Sequence, residues 1–215
     1  YSTYKGGALF SYSTYKGGAN FNYSIYKGGA NFTGSTYKGE AYFNCSIYKG
    51  GANFTGSTYK GGANFTGSTY KGEADFSGSV FYREIYFGYS TYSPSFSRFT
   101  NYAPQFYDET NHKNTLFGSP DNDFTVENGR GYPIYRSLDG LPLGCSFLTS
   151  EQKEYLTDKF QEIDETKNKL LEIKDPKEKE ELLKKLRSLN KELHDWREKA
   201  TTVKVEGTAL GEDDN

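Results

Sequence analysis

The sequence predicts a mainly β chain with an α-helical end. An N-terminal β-solenoid-like stack of 11-residue repeats leads into an extended aromatic connector and then a C-terminal antiparallel helical hairpin. Three observations predict this. One phrase, Tyr-Lys-Gly-Gly-Ala-Asn-Phe-Thr-Gly-Ser-Thr with small variations, recurs seven times between Tyr1 and Phe76. Tyr and Phe stay dense after the period stops, but prolines now interrupt them. The last part carries leucines at four-three spacing behind two helix-start signals. The corresponding boundaries are 1–81, 82–145, 146–200 and a tail over 201–215.

The repeat comes first because a fixed period sets the architecture. Its tyrosines are Tyr4, Tyr15, Tyr26, Tyr37, Tyr48, Tyr59 and Tyr70, and its phenylalanines Phe10, Phe21, Phe32, Phe43, Phe54, Phe65 and Phe76, with an alanine two residues before each phenylalanine. A helix is disfavoured, since Gly costs ~1 kcal/mol per helical position while Thr, Tyr and Phe suit a pleated surface. Tyr, Gly, Ala and Phe alternate with Lys, Gly and Asn, a period-2 pattern with one aromatic, small-residue face and one polar face. The Thr-Gly-Ser that follows is turn chemistry. One phrase alone cannot bury its rings, but stacked phrases can, each touching its neighbours. A row of very short hairpins satisfies the same pattern. So does a tandem expansion that stays extended until a partner orders it, because Gly-rich, Leu-poor chains bury themselves weakly.

Two families share this wording. Ala63 to Gly72 (Ala-Asn-Phe-Thr-Gly, Ser-Thr-Tyr-Lys-Gly) resembles two units of a pentapeptide-repeat protein, and Ala74 to Arg83 resembles it more closely. The resemblance implies a right-handed, four-sided β-helix with bulky centres at Phe65, Tyr70, Phe76 and Phe81 and small residues at Ala63, Ser68, Ala74 and Ser79. One extra residue enters every second unit at Gly61-Gly62 and Gly72-Glu73, so spacings alternate between five and six, and the expected accommodation is a bulge at a corner. Phe65 to Glu73 and Phe32 to Glu40 also resemble MORN repeats, which are rows of β-hairpins, although these units are about half as long and lack the Gly-x-Gly half. Either resemblance implies a scaffold or binding surface rather than catalysis.

Lys5, Lys16, Lys27, Lys38, Lys49, Lys60 and Lys71 share one register position and are the candidate partner-binding residues. Stacking is expected to line them up on one face, ~4.8 or ~9.6 Å apart according to the number of phrases per coil. Against Glu40, Glu73 and Asp75 they leave the segment basic. That suits an acidic partner with its own repeat, such as a microtubule, an anionic lipid surface or nucleic acid. The alternative is a solvated face that blocks edge pairing. Asn22, Asn31, Asn44, Asn53 and Asn64 form glycosylation sequons, which the repeat generates of itself.

From Val80 to Gly144, Phe81, Tyr82, Tyr86, Phe87, Tyr89, Tyr92, Phe96, Phe99, Tyr102, Phe106 and Tyr107 alternate with turn residues and with Pro94, Pro104, Pro120, Pro133 and Pro142. This reads as extended chain that either caps the solenoid or, the favoured expectation, runs along a partner with its rings as anchors. Asp121-Asn122-Asp123 resembles the opening of a calcium loop but lacks the glycine and closing glutamate, and is read as a turn.

Thr149 to Gln152 fits a capping box, and Asp175-Pro176 opens a second helix. Leu156, Phe160, Ile163, Leu170, Leu182, Leu186, Leu189, Leu193 and Trp196 form the expected seam of a coiled-coil-like hairpin. Its spare apolar stripe is expected to dock on the aromatic segment or on another chain. Beyond Ala200 the chain reads as a loose acidic tail.

The chain has 215 residues, a formal net charge of −2 and 34% hydrophobic residues, half of them aromatic at 17%, so its core rests on rings. It has no methionine, which implies a processed or truncated product whose targeting is unknown. No apolar run approaches the ~18–20 residues of a membrane span. Cys45 and Cys145 form neither a metal cluster nor a disulfide framework and read as reduced, intracellular thiols. His112 and His194 lack convergent partners, so no catalytic residue, metal site or cofactor is implied. The expected function is that of a non-enzymatic scaffold binding other proteins in a large periodic assembly, best matched by a cytoskeletal or ciliary, microtubule-associated filament. A nucleic-acid- or gyrase-type-binding solenoid and a secreted, glycosylated surface fibre are the alternatives.

Overall fold

The computed structural model describes residues 2–88, 95–127 and 129–203. The expectations made for Tyr89, Tyr92, Pro94 and the acidic end of the tail lie outside these residues.

Two phrases make one coil. The chain runs through Ser24–Tyr26, Ala30–Asn31, Thr36–Tyr37 and Ala41–Tyr42, one short strand on each of four sides. These sides are faces one to four. Each strand then pairs, parallel and in register, with the strand 22 residues away: Ile25 with Ile47, Ala30 with Ala52, Thr36 with Thr58, Ala41 with Ala63. Parallel pairing at this distance excludes the row of hairpins suggested by the MORN-like wording. The one antiparallel strand pair among the described residues is Tyr107–Asp108 with Lys113–Asn114.

The extra residue of the alternating spacing sits at the Lys-Gly bend, so the section stays four-sided. A Cβ on Gly50 would lie 2.6 Å from the carbonyl of Gly28 one coil below, and one on Gly72 would lie 2.4 Å from that of Gly50. The next position is open: Gly29 and Gly51 stand there, but so do Glu40 and Glu73. One glycine of the pair is therefore required by close backbone approach and the other is interchangeable.

The rings point inward and stack by column. On face one Tyr26, Tyr48 and Tyr70 lie 4.8 Å apart, and on face three Tyr37 and Tyr59 lie 4.7 Å apart. The phenylalanines of faces two and four stack at 4.9–5.1 Å within each column. Across the interior they meet edge to face at 5.1–5.3 Å, a geometry aromatic pairs favour. The small residue two before each ring is Ala on faces two and four and Ser on faces one and three. The buried serines link the coils. Ser46 Oγ accepts from Ser24 N–H and donates to Phe21 O, and Ser57 and Ser68 repeat the pattern. Burial pushes the phenols of Tyr48, Tyr59 and Tyr70 well above their usual range, so these are core rings and not proton-transfer groups.

The aromatic segment continues this interior instead of running along a partner, the expectation favoured above. Arg98–Phe99 extends face one, Leu116–Phe117 and Ser146–Phe147 extend face three, and Ile85–Tyr86 extends face four. Phe99 stacks on Tyr70 at 4.7 Å, Phe106 on Phe76 at 5.1 Å and Phe117 on Phe81 at 5.5 Å. The columns therefore run past residue 81 into an irregular last coil, whose longer spacers hide the period. Asp121–Asp123 is part of it, with Tyr86 bridged to Asp123 and Asn122 Oδ1 accepting from Ile85 N–H.

Helix α1 (Ser150–Glu172) starts with the expected capping box at Thr149 and Gln152, and α2 (Pro176–Ala200) is capped by Asp175. They form an antiparallel hairpin laid on face three, where Val80, Leu116 and Leu148 bury Leu156, Phe160, Ile163, Leu189 and Leu193. Leu170, Leu182, Leu186 and Trp196 are half-buried, with Leu186 and Trp196 packed against the rim of this cluster. No described helix is long and apolar enough to cross a membrane.

Candidate functional site: two lysine columns

With two phrases per coil, consecutive phrases face opposite ways. The lysines therefore form two columns and not the single line expected. Lys5, Lys27, Lys49 and Lys71 follow the tyrosines of face one; Lys16, Lys38 and Lys60 follow those of face three. Within a column each lysine stands one coil from the next, the spacing of the stacked rings.

The two columns differ in what covers them. The hairpin lies along face three, and each coil meets α1 about one turn further on. Tyr82 bonds Thr157 at 2.7 Å and packs edge-on against Phe160. Lys60 lies over the Phe160 ring at 5.1 Å and pairs with Asp164 at 2.7 Å. Lys38 reaches the same carboxylate at 3.6 Å. These contacts enclose a groove of about 410 Å³ between α1 and the solenoid, lined by Lys60, Tyr82, Phe160 and Asp164. On face one, all four lysines are exposed and, among the described residues, none has an ion-pair partner. Beside them Ile25 and Ile47 point outward, half-buried, between Thr3 and Thr69.

Lys38 is the most perturbed of the lysines. Its side chain is 4% exposed and its Nζ has no hydrogen-bond partner among the described residues. Burial, with Lys167 and Lys60 nearby, lowers its pKa to about 7, against the pull of Asp164. Burial alone pushes the Asp164 carboxyl up, but Lys60 and Lys38 outweigh this and hold it below its usual range. The folded state therefore disfavours a proton on Lys38 that the unfolded chain holds up to its ordinary value. The resulting cost is complete below pH 7 and is relieved as pH rises above it. Stability is expected to increase from about pH 7 towards pH 10 for this reason. Lys38→Met is expected to raise stability by about 1–3 kcal/mol near pH 6 and to flatten that rise, because it removes a buried cation whose one ion pair, to Asp164 at 3.6 Å, is too long for a hydrogen bond. Urea unfolding at several pH values checks both.

Sequence reasoning found every lysine but not that Lys38 and Lys60 face the protein's own hairpin. The signal was Asp164, one turn beyond Phe160 on the seam side of α1. It also missed Arg197, buried near Gly56 with Nη2 2.7 Å from His194 Nδ1 and 3.2 Å from Glu198, and the stacking of Tyr155 on Trp196 at 5.3 Å. His194 is thus tied to a structural arginine. His112 lies in the turn whose carbonyl accepts from Val203 N–H. Burial pushes the Cys145 thiol up to about 12, so it is unreactive, and Cys45 stands at a turn with φ +56°. Among the described residues no three His, Cys, Asp or Glu side chains converge to hold a metal ion.

A family model of pentapeptide repeats matches residues 44–91, in nine copies. Neither a curated protein nor a solved structure matches the chain.

Proposed function

We propose, from the pentapeptide-repeat match over residues 44–91 and the four-sided parallel coil, that the protein is a non-enzymatic scaffold whose free faces bind protein partners. The observation that carries this reading is the column of Lys5, Lys27, Lys49 and Lys71, exposed, without an ion pair among the described residues and one coil apart. A ruler of identical charges matches a partner with its own acidic repeat and gains strength from many weak contacts. In its finer form the partner is an acidic filament of the cytoskeleton or cilium, such as a microtubule, and the protein works inside the cell. Direct nucleic-acid binding is the second reading, favoured by the same column and marked by a steep salt dependence. A basic column does not suit mimicry of DNA towards gyrase.

Changing Lys27, Lys49 and Lys71 together to Gln leaves the fold intact, since all three are exposed. It is expected to weaken capture of the native partner about tenfold, at roughly 0.5 kcal/mol per lost ion pair. Quantitative affinity capture from native extract checks this. Unchanged capture, with Lys16→Gln as the control, would return the column to a solvated, edge-blocking role.

A further inference from the structure

The coil contains the phrase twice, so faces one and three carry the same lysine register half a circle apart, with different outward residues beside it. Face three already carries an occupant, and its seating shows how such a surface is read. An α-helix rises ~1.5 Å per residue and coils stack ~4.8 Å apart, so a helix laid along the axis advances about three residues per coil. α1 follows this arithmetic: Thr157 and Phe160 meet Tyr82, Phe160 and Asp164 meet Lys60, and Asp164 meets Lys38. An apolar seam faces the outward column of the strands while one carboxylate sits between two lysines. The outward column beneath the hairpin holds Thr58, Val80 and Leu116, all buried.

Face one presents the same elements without a helix. Its outward column holds Ile25 and Ile47, flanked by Lys27, Lys49 and Lys71, whose charges among the described residues are unpaired. We propose that face one docks an amphipathic α-helix of a partner protein, running along the solenoid axis. Apolar residues at three-four spacing lie over Ile25 and Ile47, and Asp or Glu at i, i+3 or i+7 fall between successive lysines. This rests on the partner reading above and narrows it to a helical, acidic partner.

The test uses the intact chain and a synthetic, fluorescein-labelled, helix-stapled peptide carrying the α1 sequence, residues 150–172, in fluorescence anisotropy. The expected result is saturable binding to the wild-type protein. Lys27→Glu with Lys49→Glu is expected to weaken it at least tenfold, Lys16→Gln to leave it unchanged, and a peptide carrying Asp164→Lys to regain affinity for the double variant. Two results would overturn the proposal: absence of binding, or binding that ignores Lys27→Glu with Lys49→Glu, which would place the peptide on face three in exchange for the hairpin. If heparin binds through the same lysines and the peptide does not, the helical partner is wrong while the lysine column keeps its role as a binding face.

Discussion

Gly50→Ala is expected to be strongly damaging, as are the equivalent changes at Gly61 and Gly72, whose added Cβ atoms would meet backbone at 2.5 and 2.4 Å. At Gly50 the added Cβ would lie 2.6 Å from the backbone carbonyl of Gly28, and the backbone of a stacked coil has nowhere to move. Overpacking a well-filled core costs ~1–3 kcal/mol when side chains can adjust, so a clash with backbone belongs at or beyond ~3 kcal/mol. Gly51→Glu, one residue on, is expected to fall within ~0.5 kcal/mol of wild type, because Glu73 already occupies the equivalent place one coil later and the nearest atom to a Cβ there is 3.8 Å away. Urea unfolding of the two variants side by side checks the difference. Equal effects would mean that the coils do not approach as closely at the Lys-Gly bend as the 22-residue pairing requires.

Phe160→Ala is expected to have an effect of similar size and a different signature. Phe160 is 2% exposed and touches both Tyr82 and Lys60, so it fixes α1 to the solenoid at two coils. Truncating a buried phenylalanine costs ~3–5 kcal/mol. Much of that cost is expected to fall on docking, because the array keeps its own ring columns. Hydrogen exchange should then show the amides of 150–200 losing protection while those of faces one, two and four keep theirs. Uniform loss over the whole chain would show that hairpin and array fold as one unit.

The parts of this architecture that were legible in the sequence are those where each residue's role is local. Tyr and Phe at fixed positions, with Ala or Ser two before them, specify an inward ring and the room for it. Thr149 with Gln152, and Asp175 with Pro176, specify helix starts through caps that need no tertiary contact. What stayed hidden depends on closure. Nothing within a single phrase says that two of them make a coil; only the four-sided resemblance implies it, so the split of the lysines between opposite faces is not visible in Lys27 and Lys38 alone. The aromatic segment hid its role for a similar reason. Phe99, Phe106 and Phe117 continue three ring columns, but spacers of unequal length separate them. Asp164 and Arg197 looked like ordinary charged positions on helices rich in Lys and Glu, and the pairing of Asp164 with Lys60 and the burial of Arg197 follow from the hairpin lying down on face three.

The most direct test of the account asks whether residues 22 apart are neighbours while residues 11 apart are not. Excimer fluorescence of pyrene-labelled variants answers it, in a background with Cys45→Ser and Cys145→Ser. Labels on Lys27→Cys with Lys49→Cys should give strong excimer emission, since the two sites stand one coil, ~4.8 Å, apart on face one. Labels on Lys16→Cys with Lys27→Cys, on opposite faces, should give monomer emission. Excimer from the second pair, or its absence from the first, would contradict the two-phrase coil and with it the lysine column.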